Sequence, residues 1–388
     1  MENVRVRLIV LVAGLTVAAV IAGATLAVRR VPQDSVSAAG PLSGAPTTTP
    51  SNTLQTTPPT STTTSPAATP SGVPSEVKVE LGSLPLGQLP QMAFMVDRVV
   101  RGGTGPNLTV PGKQPIEQVV RFGGGVLAVL RTGEVSTELR RVEPYAEAFS
   151  AGRVPGVSSL VSSAEEDLAA YAVDGQSAIY WLDSRDSELV QRSLKRAEYG
   201  RTQVLAVRGD LVYFSAEGKG YPAPETYYRW DSKSGKVTAV KTVHGFEGLN
   251  TAGTAAADFV SGAAQTFCSA VTELETGKRR FRTCKYSLDG FTPDDRTVVA
   301  SEDFRGSGAE AFTAALDADT GQVRRQWVGV QFVMAVAEDD DHLLMVVDTG
   351  ENTPVGIIRC SIGSGTCEVA LTPDRYGRNN VQLLGART

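Results

Sequence analysis

The residues 286–328, YSLDGFTPDDRTVVASEDFRGSGAEAFTAALDADTGQVRRQWV, decide the fold of this chain. This stretch contains four short apolar runs. Two of them lie on either side of a polar break, and the third turns at Asp319-Thr320-Gly321 into the fourth. Short runs rich in β-branched and aromatic residues, separated by turn residues, are typical of β-strands. The stretch therefore predicts one antiparallel sheet of four strands that follow one another up and down.

A turn of the same form recurs along the chain. A Thr-Gly or Ser-Gly pair closes it, with spacings of 42, 44 and 44 residues, at Gly235, Gly277, Gly321 and Gly365. A tight hairpin needs a residue with positive φ, which glycine adopts without steric cost. Counting back with the same period reaches three less regular positions, Ser187, Tyr145 and Gly103.

Seven such turns predict seven repeated units, each of about 40 to 45 residues with four strands, which is the length of a β-propeller blade. A closed ring also removes the open edges of the two terminal units. AFMVDRVV at 93–100 forms an incomplete first unit, and VQLLG at 381–385 is available to complete it. We therefore expect an all-β fold over residues 77–388, a seven-bladed β-propeller with four-stranded antiparallel blades, after the lead-in KVELGSLPLGQLP.

FTPDDR at 291–296 resembles the F-S-P-D-G-R signature of WD40-like and TolB-like propeller repeats, with Thr292 in the Ser position and Asp295 in place of Gly. VSSAEEDLAAYAVDG at 161–175 resembles a degenerate copy. The whole chain, with RCSIGSGTCEVALTP near its C-terminus, resembles membrane-anchored propeller proteins of high-GC Gram-positive bacteria. The shared motifs are structural, so the resemblance implies a fold and carries little function.

The N-terminal region predicts a membrane anchor. Residues 8–28, LIVLVAGLTVAAVIAGATLAV, contain no charge, and 21 residues of helix can cross a hydrocarbon layer roughly 30 Å thick. This length favours a retained signal anchor, with residues 1–7 in the cytoplasm, over a cleaved signal; Ala22-Gly23-Ala24 keeps cleavage open. The flanking arginines nearly balance, so they leave the orientation undecided.

Residues 29–76 consist mainly of Pro, Thr, Ser, Ala and Gly. Such a composition cannot bury enough apolar surface to offset the entropy of ordering, so it predicts a disordered stalk. At about 3.1 Å per residue the stalk could hold a domain up to roughly 140 Å from a bilayer. An O-glycosylated stalk and an unmodified linker both remain open.

The four cysteines predict two disulfides. Cys268 and Cys284 flank one glycine turn, and Cys360 and Cys367 flank another, so each pair lies nearly opposite on a hairpin. Cross-strand Cβ atoms are about 4.5 to 5.5 Å apart, close enough for a disulfide. A zinc site usually needs ligands in close pairs, and this spacing does not supply them. Disulfides form in oxidising compartments, which predicts a C-terminal domain outside the cytoplasm, attached to the cell membrane by a single pass.

No catalytic, cofactor-binding or metal-binding residue is assigned. Residues 77–388 contain 33 basic and 39 acidic residues, and a net charge of −6 argues against nucleic acid and anionic lipid as partners. The two histidines, His244 and His342, have no G-x-S-x-G partner motif, and both are expected to have structural roles. The acidic residues 338–341 and the DADTG turn lack the full pattern of a calcium loop.

A loop rich in Gly and Pro at 218–225, together with RGSGAE at 305–310, is the predicted contact surface, because insertions in repeats often lie on a binding face. Its candidate residues are Tyr221, Pro222, Glu225 and Arg305. The function expected is binding or scaffolding of an envelope protein or a wall polymer. The alternative is a propeller-type glycan hydrolase or lyase with acidic residues converging on the central channel. The sequence leaves the enzyme question open, with the balance against an activity.

Overall fold

The computed structural model describes residues 75–144, 154–185, 190–218, 224–261, 267–302, 310–350, 353–374 and 380–385. The predicted membrane helix and nearly all of the predicted stalk lie outside these residues and stay predictions. Within the described ranges, no helix is both long and apolar enough to span a bilayer. The described secondary structure is 28 β-strands and one turn of 3₁₀ helix at Leu81–Ser83.

Five four-stranded antiparallel sheets account for most strands, and we call each a unit. Unit 1 contains β2 (Phe94–Val96), β3 (Val99–Arg101), β4 (Leu108–Thr109) and the C-terminal β28 (Val381–Leu383). Unit 2 contains β5 (Ile116–Phe122), β6 (Gly125–Arg131), β7 (Thr137–Val142) and β8 (Val154–Pro155). Unit 3 contains β9 (Val157–Ser162), β10 (Leu168–Val173), β11 (Ala178–Asp183) and β12 (Val190–Lys195). Unit 4 contains β13 (Tyr199–Arg208), β14 (Leu211–Gly218), β15 (Glu225–Asp231) and β16 (Val237–Val240). Unit 5 contains β17 (Phe246–Leu249), β18 (Ala255–Ser261), β19 (Phe267–Glu273) and β20 (Arg279–Thr283).

The remaining sheet joins two units through one long strand. Unit 6 contains β21 (Tyr286–Phe291), β22 (Thr297–Glu302), β23 (Glu310–Asp317) and the first part of β24 (Val323–Ala337). Unit 7 contains the second part of β24 with β25 (His342–Asp348), β26 (Val355–Ser361) and β27 (Cys367–Asp374). β24 pairs with β23 between Val323 and Val328 and once more where Phe332 lies opposite Glu310, and it pairs with β25 from Gln331 to Ala337. The described strands thus form six sheets and seven four-stranded units, which confirms the predicted all-β fold with four-stranded antiparallel sheets.

The C-terminal strand completes the first unit. β28 pairs with β2, with Phe94 opposite Leu383 and Val96 opposite Val381. Phe94 and Leu383 are both about 1% exposed, so this pairing buries apolar side chains as well as joining edges. The prediction that 381–385 would complete the sheet begun at 93–100 is confirmed.

The lead-in before unit 1 runs along the outside of units 6 and 7, and we call residues 75–92 the N-terminal strap. Its strand β1 (Glu76–Lys78) extends the sheet by pairing in parallel with β24. Further on, Leu86 forms a parallel bridge with Val369 of β27. Arg359 then donates to the carbonyl oxygens of Gln88 and Leu89, both at 3.1 Å.

The repeated glycine turns join the third and fourth strands of their units. The four regular positions have positive φ of 73°, 70°, 71° and 78°, at Gly235, Gly277, Gly321 and Gly365. Gly103 lies in the corresponding connection of unit 1, with φ of 67°. The other two positions, Ser187 and Tyr145, lie outside the described residues.

FTPDDR forms the turn between the first two strands of unit 6. The Thr292 amide donates to the Thr297 carbonyl at 2.9 Å, and Asp295 adopts a positive φ of 62°. The degenerate copy in unit 3 has the same geometry, with the Ser163 amide donating to Leu168 at 2.9 Å and Glu166 at φ 61°. A third copy, NTAGTA at 250–255, lies in unit 5, where the Asn250 amide donates to the Ala255 carbonyl at 3.0 Å. The signature is hard to find there because Asn250 replaces Ser and Ala252 replaces Asp.

We call the outermost strand of each unit, together with the residues that flank it, the outer belt; these strands are β4, β8, β12, β16, β20, the first part of β24, and β27. An outer-strand arginine reaches the next unit's glycine turn in two places: Arg192 Nη1 donates to Ser232 Oγ at 3.2 Å, and Arg280 Nη1 donates to Asp319 at 3.2 Å. Between units 4 and 5 the contact is from Thr242 Oγ1 to the Leu274 carbonyl, at 2.7 Å.

The core consists of layers between adjacent units. Alternate residues of each strand face the preceding and the following unit, as expected for a strand buried on both sides. The layer between units 3 and 4 contains Trp181 and Trp230, each 2% exposed or less, with Tyr228 packed against them. Tyr228 and Trp230 thus both contribute to the core.

Candidate binding site in the central channel

The first strand of each unit surrounds one cavity of about 610 Å³, which we call the central channel. The strand in this inner position is β28 in unit 1 and the second part of β24 in unit 7. Because each sheet stands edge-on to the channel, the lining combines strand edges with the side chains that lean over them. All seven units contribute, so a ligand in the channel would contact the whole ring.

The inner strands of units 2 to 7 each contain a β-bulge, where one residue has no partner in the register. The extra residues are Glu117, Ser158, Leu205, Glu247, Asp289 and Val333. A bulge bends its strand and redirects a side chain, and bulges are common beside functional sites. The last four of these residues line the channel. Their spacing of 42, 42 and 44 residues was a signal in the sequence, but the period alone does not distinguish a bulge from a paired position.

One wall of the channel is apolar. The residues 333–337, Val-Met-Ala-Val-Ala, all line the cavity and are all partly exposed. Leu205 and Phe291 extend the apolar lining on other strands. Uncharged polar side chains also contribute: Gln118, Ser162, Gln203 and Gln382. An apolar lining with a few polar groups is typical of a ligand-binding cavity.

Two carboxylates from adjacent units lie in the described lining. Glu247 is in β17 and accepts a hydrogen bond from Ser269 Oγ at 3.4 Å, and Asp289 is in β21 and is exposed. The two strands come close because Gly248 has no side chain: a Cβ there would lie 3.0 Å from the carbonyl oxygen of Asp289. The glycine therefore brings the two bulges together.

Arg208 is the basic residue of the described lining, at the end of β13. Its Nη1 donates to the Val207 carbonyl at 3.0 Å and its Nη2 to the Leu249 carbonyl at 3.4 Å. Burial lowers the pKa of the Arg208 guanidinium from its ordinary value, while the charges of Glu165 and Asp295 raise it. The side chain links units 4 and 5 and adds a positive group to a lining that also contains the two carboxylates.

Unit 5 also presents an aromatic pair. The rings of Phe259 and Phe267 are 5.7 Å apart, and Phe267 is 43% exposed. Beside them, the fully buried Asp258 accepts hydrogen bonds from the backbone amides of His244 and Gly245 at 2.8 and 3.0 Å. The His244 side chain is 63% exposed. Aromatic rings at a half-exposed position offer a large contact area with little loss of conformational entropy.

Of the predicted contact residues, Tyr221, Pro222 and Arg305 lie outside the described residues. Glu225 begins β15 and accepts a hydrogen bond from the Tyr227 hydroxyl at 2.9 Å. The two predicted loops connect the second and third strands of units 4 and 6, and Phe267 begins the third strand of unit 5. Connections between the second and third strands lie on the same side of every unit in a ring of repeats. The strand ends that flank the two predicted loops therefore lie on the same side of the ring as Phe267.

The cysteines form two disulfides, Cys268 with Cys284 and Cys360 with Cys367. Cys360 and Cys367 are direct register partners on β26 and β27. The first pair joins β19 to the end of β20. Both are the cross-strand pairings expected from the hairpins, and each connects the last two strands of one unit.

The acidic residues that the sequence drew attention to bind internal donors. Asp341 accepts from Ser361 Oγ at 2.7 Å, and both oxygens of Asp339 lie 3.0 Å from His342 Nδ1. Asp317 pairs with Arg324 at 2.7 Å. Over the described ranges, no group of three or more His, Cys, Asp or Glu is arranged to hold a metal ion.

Comparison with known proteins adds a likeness in architecture. No family model and no curated protein matches the chain. TolB from Acinetobacter baumannii is 13% identical, with 61% of this chain and 66% of that chain covered, just under two thirds, at a TM-score of 0.39. An uncharacterized protein from Listeria monocytogenes EGD-e is 10% identical, with 70% and 87% covered, at 0.47. The Cps50 (Swd1) β-propeller domain of Myceliophteria thermophila is 9% identical, with 71% and 88% covered, at 0.43. At these values the fold description depends on the sheet topology, and no function is transferred.

Proposed function

We propose that this chain is a seven-bladed propeller that acts as a binding or scaffolding module outside the cytoplasm. In this proposal the helix at 8–28 anchors it in the membrane, and the segment 29–76 is the stalk that presents it. Its partner is an envelope protein or a wall polymer. The eight-stranded sheet counts as two blades, because β24 serves unit 6 with its first part and unit 7 with its second.

The observation that carries the binding function is the surface around the channel. The channel combines an apolar wall at 333–337 with uncharged polar groups. Outside the channel lining, the exposed ring of Phe267 begins the third strand of unit 5. Partly exposed aromatic and apolar groups with a polar rim are the usual composition of a protein-binding surface. A protein partner that inserts a side chain into the channel would match this composition.

Two features support the location. Two cross-strand disulfides favour folding in an oxidising compartment. The uncharged segment 8–28 is long enough to span a membrane, and the Pro- and Thr-rich segment after it suits an extended connection through a surface layer.

The test is site-specific photo-crosslinking of the full-length protein in its own cells. A photoreactive residue replaces Phe267, and a matched one replaces Glu275, which is exposed in the glycine turn of the same unit. We expect a defined crosslinked product from position 267 that is absent from position 275. The partner captured in this product should no longer associate with an F267A variant that carries no photoreactive residue. Equal products from both positions, or a crosslinked protein that still binds F267A normally, would contradict the proposed surface.

The second candidate is a glycan hydrolase or lyase, and the pair Glu247 and Asp289 is the observation in its favour. Glycoside hydrolysis is usually carried out by two carboxylates that flank the scissile bond. The described lining contains these two carboxylates. Release of soluble fragments from wall glycans by the purified protein, abolished in E247Q and D289N variants, would establish the enzyme. Unchanged glycans would leave the channel as a binding site.

A further inference from the structure

Basic residues are concentrated on the outer belt of units 3 to 6. The outer strands β12 (VQRSLK), β20 (RRFRT) and the first part of β24 (VRRQWV) contain Lys and Arg and no acidic residue, and β16 (VTAV) is flanked by Lys236 and Lys241. Residues 77–388 as a whole have a net charge of −6. The surface is therefore divided by charge, with a positive belt on a negative protein.

The belt is densest where units 4 and 5 meet. The segments 236–241 and 278–285 together contain seven basic residues and no carboxylate. They adjoin, because Thr242 donates to the Leu274 carbonyl at 2.7 Å and its methyl group would lie 3.1 Å from a Cβ at Gly277. At about 3.3 Å per residue, the 14 residues of the two segments have a combined contour length of roughly 45 Å.

Several of these side chains are available to a ligand. Lys241, Lys278 and Arg279 are exposed, and none forms an ion pair with a described residue. Arg280 is different, because it lies beside Glu273 and Asp319 at 3.8 and 3.2 Å. Lys241, Lys278 and Arg279 therefore contribute positive charge that is available to a ligand.

The disulfide fixes part of this surface. Cys284 directly follows β20, and its bond to Cys268 holds the end of the strand against β19. Arg282, which is exposed, donates from Nη2 to Cys268 Sγ at 3.0 Å. A strand held in this way presents its cations at a fixed spacing, which lowers the entropy lost on binding.

We propose that the belt of units 4 and 5 binds a polyanionic wall polymer with phosphodiester groups. The seven cations of the two segments outnumber the two carboxylates beside them, Glu273 and Asp319. An excess of cations along one edge matches a linear array of anions, and release of counterions supplies the free energy. The choice of a wall polymer over a lipid surface rests on the proposed function, in which the predicted stalk could hold the domain up to roughly 140 Å from the bilayer. The belt is separate from the channel, so the two proposals are tested independently.

A simpler role for the same residues is protection of the sheet edges. Charged residues on an outer strand prevent edge-to-edge aggregation, and this requires no ligand. Charge reversal separates the two roles, because Glu also protects an edge but repels a polyanion. The variant K278E/R279E therefore keeps the protection and reverses the attraction.

The experiment measures binding of fluorescently labelled long-chain inorganic polyphosphate to the full-length protein in a neutral detergent, by anisotropy between ~50 and ~200 mM NaCl. The control variant is K113E/R296E, which makes the same change in net charge at exposed positions outside the belt. Neutral dextran and vesicles with anionic phospholipid serve as alternative ligands. Cell walls before and after removal of phosphodiester-linked polymers complete the set.

We expect polyphosphate affinity to fall linearly with salt on logarithmic axes. K278E/R279E should lose at least about 25-fold at low salt, on the basis of about fivefold per charge, while the control stays within about threefold. Retention on walls should disappear with the phosphodiester polymers. Equal losses in the two variants, tighter binding to vesicles than to polyphosphate, or no salt-dependent binding would each overturn the proposal. None of these results would bear on crosslinking at Phe267.

Discussion

Replacement of Arg359 by Met should release the N-terminal strap and destabilise the ring. Arg359 donates five hydrogen bonds, to both carboxylate oxygens of Glu338, to Glu368, and to the carbonyls of Gln88 and Leu89. The side chains of Arg359 and Glu338 are 8% and 2% exposed. The Met variant would leave the Glu338 carboxylate buried without its cation, which typically costs about 3–5 kcal/mol. For a domain of about 310 residues this corresponds to a fall in Tm of roughly 5–8 °C.

Thermal unfolding followed by circular dichroism measures the fall in Tm, with R279M as the matched control. Arg279 is an exposed arginine that forms no ion pair with a described residue, so its loss should change stability by no more than about 0.5 kcal/mol. Hydrogen exchange then reports on the strap. The Gly87 amide donates to the Val369 carbonyl at 3.0 Å and the Gln91 amide to Glu338 at 2.5 Å, and both should exchange faster in R359M.

The reasoning would be refuted if R359M unfolded at the same temperature as R279M while both strap amides kept their protection. A fall in Tm with unchanged exchange at Gly87 and Gln91 would separate the two effects: the buried pair would stabilise unit 7, and the strap would be held by its backbone pairing alone. Val79 is the internal reference for exchange. Its amide donates to the Val328 carbonyl at 2.7 Å, and Arg359 does not contact this part of the strap.

Three further predictions concern turns and staples. In D295G, glycine keeps the positive φ but removes the acceptor for three donors of the neighbouring turn in unit 5. The free energy of unfolding, measured in urea, should fall by about 2 kcal/mol. A fall below about 0.5 kcal/mol would contradict the role of Asp295 in linking units 5 and 6. The hydrogen bond from Arg324, together with others from Thr320 and from the Asp319 amide, lowers the pKa of Asp317 to about 2. The stabilisation is therefore full above about pH 4 and is lost as the pH falls through about 2. R324Q should be less stable than the wild type by about 1 kcal/mol at about pH 6, and this difference should shrink as the pH falls to about 2. Without reductant, the free energy of unfolding of C360A/C367A should be about 2.5 kcal/mol lower than that of the wild type. Equal stability of the variant and the oxidised wild type would show that this disulfide does not stabilise the fold.

Local signals in the sequence accounted for the repeat. The glycine turns, the strand pairs and the completion of unit 1 by residues 381–385 depend on φ preference and on alternation along a few residues, and the structure has them where they were expected. The two disulfide pairings followed from the same hairpins.

The channel and the belt depend on contacts between distant residues, which a single sequence does not display. Glu247 and Asp289 come together because Gly248 permits two strands to approach, and neither the bulges nor the closeness can be read from composition. The run QWVGVQFVMAVA gave no turn signal because units 6 and 7 share one strand, bent at Gly329 with φ 101°. The net charge of −6 does not indicate the belt, because it sums the basic residues of the outer strands with the acidic residues of the turns.

The N-terminal strap determines where a mechanical load would enter the molecule. A pull on the chain before Ser75 acts first on β1, whose rungs with β24 lie side by side and share the force, and then on the segment held by Arg359. Only after these contacts fail does the tension reach β2, which holds the ring closed against β28. The strap would therefore protect the closure of the ring under load. A force applied to the chain before Ser75 would be carried by the contacts of the strap with units 6 and 7, and the pairing of β2 with β28 would not bear it until those contacts break.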